Sequence, residues 1–115
     1  MSLQVLNGPV IAQGESESDA LDCTAGAIIR LTMPTDWTPA NLTFLISSDG
    51  NGFNDLVKFN GDPVTLTVVP GSAVVVSPLD EYLKAVAFLK LRSGTAKHPV
   101  VQQERREFAV AIEIP

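Results

Sequence analysis

A chain of 115 residues that is 45% hydrophobic can close one core without a metal or disulfide to staple it. A net charge of −5 and the lack of any basic run argue against nucleic acid and anionic membrane as main partners. Charged residues make up 18% of the chain, below the usual share of about 25%, so part of the surface is expected to be covered by a partner.

The single cysteine, Cys23, cannot form an internal disulfide, so the fold does not depend on an oxidising compartment. Nothing approaches the roughly 20-residue apolar run of a membrane span. Met1–Asn7 has neither the basic start nor the apolar core of a signal peptide. The expectation is one domain over residues 1–115, made in the cytoplasm.

In chain order, residues 1–9 read as a leading segment that ends in the turn signal Asn7-Gly8-Pro9. Val10-Ile11-Ala12 is a short strand candidate, and Gly14–Asp22, acidic and polar, is a surface loop. Ala27–Met33 alternates Ile29, Leu31 and Met33 against Ile28, Arg30 and Thr32, and Pro34 closes it. Leu42–Ser48 carries Leu42, Phe44 and Ile46 at period two, then breaks at Asp49-Gly50-Asn51-Gly52. Leu56–Phe59 is expected to return antiparallel to it.

Gly61-Asp62-Pro63 is another break, followed by strand candidates Val64–Val69 and Ala73–Val76. Ser77–Arg92 reads two ways: a helix begun by Ser77-Pro78, or a helical turn over Pro78–Leu83 followed by a strand over Ala85–Arg92. The strand is preferred because the rest of the chain is β-like. Phe108–Ile114 places Phe108, Val110, Ile112 and Ile114 inward, with Ala109, Ala111 and Glu113 outward.

The resulting fold class is all-β: a single-domain antiparallel β-sandwich, jelly-roll-like, of seven or eight strands with at most one short helical turn. Its expected core includes Phe44, Ile46, Leu66, Val68, Phe108, Val110 and Ile112.

No pattern for catalysis emerges. His98, the only histidine, stands in a polar loop, and Cys23 follows Asp19 and Asp22, which oppose a thiolate. Asp49, Asn51, Asn54 and Asp55 offer oxygen ligands, but their order does not match a calcium loop, and a glycine turn explains them. Glu15, Glu17, Asp19 and Asp22 form an acidic patch. Arg92, Arg105 and Arg106 are expected in ion pairs rather than on phosphate. No catalytic residue, cofactor or metal is expected. The candidate contact residues for a ligand or partner are Trp37, Asp49, Asn51, Asp55 and Tyr82, where Trp37 reads more readily as a lid on the core than as a sugar platform.

Two segments, IIRLTMPTDWTPANLTFLISSDGNGFNDLVKF (28–59) and Phe88–Phe108 with FLKLRSGT and PVVQQERREF, resemble small structural proteins of tailed-phage and prophage virions. The resemblance covers about half the chain and rests on pattern residues such as Met33-Pro34, Trp37, Asp49-Gly50 and Arg92-Ser93-Gly94-Thr95. It implies a non-enzymatic β-sandwich particle component: a head-decoration, cement or head-tail protein. Such a protein is assembled into the virion in the bacterial cytoplasm, and its partners are itself and other virion proteins. The Ser48-Asp49-Gly50-x-x-Phe53 turn is also similar to one in carbohydrate-binding sandwiches, which makes a glycan- or host-surface-binding module the alternative.

Overall fold

The computed structural model describes residues 2–76, 83 and 86–115. Eight strands follow in order: β1 (Ser2–Ile11), β2 (Leu21–Asp22), β3 (Ala27–Thr32), β4 (Leu42–Ser47), β5 (Asn54–Asp55), β6 (Ala73–Val75), β7 (Phe88–Ser93) and β8 (Arg106–Ile114). They form two antiparallel sheets of four strands, ordered β1-β8-β3-β6 and β2-β7-β4-β5. The all-β reading holds, and the arrangement is that of a β-sandwich.

Period two explains why the sheets face each other. Leu42 and Phe44 on β4 and Leu89 and Leu91 on β7 are buried from one side; Leu31 on β3 and Phe108, Val110 and Ile112 on β8 are buried from the other. One continuous apolar cluster joins them. Of the expected core, Phe44, Leu66, Phe108, Val110 and Ile112 are buried, while Ile46 and Val68 pack against it half-buried.

Several boundaries differ from the sequence reading, each for a physical reason. The leading segment and the Val10–Ala12 strand are one strand, β1, paired along its length with β8. Asn7-Gly8-Pro9 is not a turn but an irregularity in that ladder. Pairing skips from Asn7 to Val10, because Pro9 has no N–H to donate and Gly8 adopts a φ of 116°.

On β3 a register shift between Ile28 and Arg30 changes the phase of the alternation. Ile28 and Leu31, placed on opposite faces above, are therefore both buried, and Ile29 is only half-buried. The loop expected over Gly14–Asp22 contributes β2 at its end.

The strand returning from the Asp49 turn is β5, Asn54–Asp55, rather than Leu56–Phe59. Val64–Val69 is not a strand; it meets the sheets only through a bridge between Leu42 and Leu66. Of the ambiguous segment, Phe88–Ser93 is strand β7; the helical turn expected over Pro78–Leu83 lies outside the described residues except for buried Leu83.

Strand β8 is central, between β1 and β3, so it has no free edge. Ala111, expected on the wet side, is buried there because it is flanked by the longer side chains of Val5 and Arg30.

One buried polar network closes the sandwich at the Gln102 end. The Gln102 amide donates to the Thr38 carbonyl and the Ser93 hydroxyl, each across about 3 Å, and its oxygen accepts from the Thr38 N–H and from Arg106 Nε. Such satisfaction is what lets a fully buried amide sit without penalty.

Trp37 stacks edge-on against Phe108, centroids 5.5 Å apart, and its indole N–H donates to the Ala40 carbonyl at 3.0 Å. Phe108→Ala is therefore expected to cost about 3–5 kcal/mol, while Phe59→Ala, on a ring that is 97% exposed, changes stability by less than about 0.5 kcal/mol. Urea denaturation of the two variants checks this contrast.

Candidate functional site

The Asp49 turn is built from its own side chains. Ser47 Oγ accepts the N–H of Gly50 at 2.9 Å and donates to Asp49 Oδ1 at 3.0 Å. The same Asp49 oxygen accepts the N–H groups of Asn51 and Gly52. These backbone N–H donors, followed by the Ser47 hydroxyl, hold the Asp49 carboxyl below its ordinary value. Gly50 supplies the positive φ of 85° that the turn requires. Gly52, the other glycine of the turn, does not adopt a positive φ. Among the described residues no group of three acidic, His or Cys side chains is arranged to hold a metal.

Asp55 belongs to a different arrangement. On the outer side of the β2-β7-β4-β5 sheet, Arg92 is nearly fully buried and donates from its Nη1 to Asp55 Oδ1 at 2.7 Å. Its Nε donates to Thr43 Oγ1 at 3.0 Å, and that hydroxyl in turn donates to the Gly94 carbonyl at 2.7 Å. The pair lies beneath a cleft of about 330 Å³ that is also lined by Asp62, Thr95, Lys97 and His98. Arg92 was read as an ion-pairing residue, and it is one; its partner Asp55 was singled out separately, as a contact residue.

His98 is exposed and meets Thr95 through its backbone N–H at 3.0 Å, not through its imidazole. The cleft thus gathers charge, and among the described residues the His98 imidazole has no hydrogen-bond partner.

The remaining candidates scatter. Trp37 is buried in the core and offers no face to a ligand, so its role as a contact residue is corrected to that of a lid over Phe108. Asn51 is exposed at the turn, on the same loop as Asp49. Tyr82 lies outside the described residues.

Cys23 is buried and lines a second cavity, of about 560 Å³, with Ala27, Val86 and Glu113; His98 is not part of it. Burial first, then the neighbouring Asp22 charge, pushes the Cys23 thiol up to about 11. In the acidic patch Asp22 accepts from the Thr24 hydroxyl and N–H, and Asp19 accepts from the Val10 N–H at 2.7 Å, so these carboxylates serve local turns.

The strongest surface feature was not singled out from sequence. Val57 and Phe59 stand exposed on a loop closed by backbone bonds from Lys58 N–H to Asp62 and from Gly61 N–H to Lys58, with a bridge between Val57 and Pro63. Phe59 is 97% exposed at its tip. Assigning Leu56–Phe59 to a strand placed every second residue against the sheet, which hid this. The only available signal was the break Asn60-Gly61-Asp62 immediately after the ring.

Two outcomes follow from the buried groups. Asp55→Ala leaves the Arg92 guanidinium buried without its counter-charge and is expected to destabilise the fold by about 1–3 kcal/mol, measured by urea denaturation. For Cys23 the folded thiol keeps its proton longer than the unfolded one. Stability is therefore unaffected below about pH 9 and declines as pH rises from there toward about 11, which thermal melts across that window would show. A thiol reagent at pH 8 is expected to label Cys23 only on unfolding. Comparison with known protein families, with curated proteins and with solved structures finds no match to this chain.

Proposed function

We propose that this chain is a non-enzymatic structural protein of a phage or prophage virion, a head-decoration, cement or head-tail component, that docks on a particle surface through its Phe59 loop. The carrying observation is Phe59, a large ring almost wholly in water at the tip of a loop already held by its own backbone bonds.

A ring in that position contributes nothing to its own core. In a partner's pocket it would bury roughly 150–250 Å² of apolar surface, and the ordered loop keeps the entropic cost of docking small. Aromatic anchors of this kind dominate interface energetics. Two further features support the reading. Edge strand β6, Ala73–Val75, carries no charge to guard it, and the overall charge is low. The segments at 28–59 and 88–108 that resemble virion proteins supply the particle as the partner. Burial removes Trp37, one of the two aromatic rings on which the glycan-binding alternative rests.

Co-sedimentation with purified capsids of the phage or prophage that carries the gene tests the reading. Wild type is expected to pellet with the particles, and Phe59→Asp to lose roughly thirty-fold in affinity or more. Wild type that stays in the supernatant, or Phe59→Asp that binds as well as wild type, would overturn it.

A further inference from the structure

We propose that the outer face of the β1-β8-β3-β6 sheet binds a second copy of this chain, face to face about a two-fold axis. The inference rests on the assembling role proposed above but not on the Phe59 loop. Opposite residues of an antiparallel ladder share a face. The register therefore lays Val5, Ala111, Arg30 and Val75 across the outer face in one row, with Leu3 and Glu113 in the row beside it.

Large apolar side chains stand in water here: Leu3 is 63%, Val5 58% and Val75 65% exposed. Between them, β8 presents only alanine in the two rows beyond Glu113. The face is thus a shallow furrow along the central strand, ridged by Leu3 and Val5. Another sheet can approach such a surface to the roughly 10 Å of sandwich packing, with the ridge of one copy seated in the furrow of the other.

The charges favour a second copy over an unrelated partner. The chain carries −5, yet among the described residues Arg30 and Glu113 offset one another on this face, and Glu107, farther along β8 on the same side, is paired with Arg105 at 3.6 Å. Two copies therefore meet here without the repulsion their net charge would impose elsewhere. Arg30 and Glu113 sit diagonally on adjacent strands, about 7–8 Å apart, and no ion pair joins them. In an isologous contact each meets its opposite on the other copy, so one self-complementary geometry satisfies both.

Size sets the strength. Four strands about 4.8 Å apart and three rows about 7 Å apart make a face of roughly 400 Å², about half the area per partner of a standard stable interface. The dimer is accordingly weak, with a dissociation constant in the micromolar range.

Sedimentation of the full chain from about 1 to about 200 µM tests the proposal. Wild type is expected to shift reversibly from monomer to dimer. Val5→Lys, Arg30→Glu and Glu113→Arg should each weaken association at least tenfold, and the double reversal Arg30→Glu/Glu113→Arg should recover it to within a few-fold. The double variant carries the test even where a single reversal melts early, and Phe59→Ala should dimerise as wild type does. Wild type that stays monomeric throughout, single reversals that dimerise unchanged, or a double reversal without recovery would each overturn the proposal. Dimerisation is read in solution and docking on capsids, so loss of one with the other intact separates this inference from the proposed role.

Discussion

Strand β8 hydrogen-bonds to β1 on one side and to β3 on the other, and most of the molecule hangs on that double pairing. Its inward residues Phe108, Val110 and Ile112 form one wall of the core, and Phe108 is the ring against which Trp37 closes the sandwich. At its start, Arg106 binds Gln102 and so ties the strand to Thr38 and Ser93. Without β8, β1 has no partner in its sheet and β3 keeps only the three-residue β6. A two-stranded remnant of that kind is marginal in water. Because the partners of β8 stand far from it in the chain, the loop-closure entropy falls before the contacts reward it, and slow folding is the physical expectation.

The two sheets meet solvent in opposite ways. Outside β7 and β4, Arg92 and Thr43 are buried under the loops that follow Asp55 and Gly94, and every bond named there is satisfied within the chain. On that side the sheet is covered by the chain itself. Outside β8 and β3 no loop supplies an equivalent cover for Leu3, Val5 and Val75 among the described residues. The division follows from chain economy: the loop after β5 and the loop after β7 both fold back over one sheet, and among the described residues none covers the other.

Strand phase was legible where alternation ran uninterrupted. Leu42, Phe44 and Ile46, and Phe108 through Ile112, point as period two requires, and the Asp49-Gly50 break turns the chain as its composition indicates. What sequence concealed were positions where one residue is added to a ladder. Gly8-Pro9 has the composition of a turn, yet strand pairing resumes at Val10; Ile29 is apolar, yet the shift beside it sends Ile28 inward instead. Local composition cannot distinguish these cases, because only the partner strand decides whether pairing resumes. The apolar run Val64–Val69 failed differently: Val64 and Leu66 are buried as the pattern suggests, but burial there comes without a ladder. Of the candidate contacts, Trp37 could be read as a lid because a lone tryptophan beside Pro39 packs more readily than it protrudes, whereas Phe59 carried no periodic mark of its exposure.

The register that pairs Ser2 with Ile114 brings the two ends of the domain side by side along one rim of the sandwich. Topologically the fold is close to a ring, broken at a single point on an exposed edge. A short peptide across that gap would join the ends without crossing the core, and the chain could be opened elsewhere, at the Phe59 loop for example, with every ladder kept. The same geometry means that this domain can sit inside the loop of a larger polypeptide as readily as it stands alone, since the host chain would leave it about where it entered.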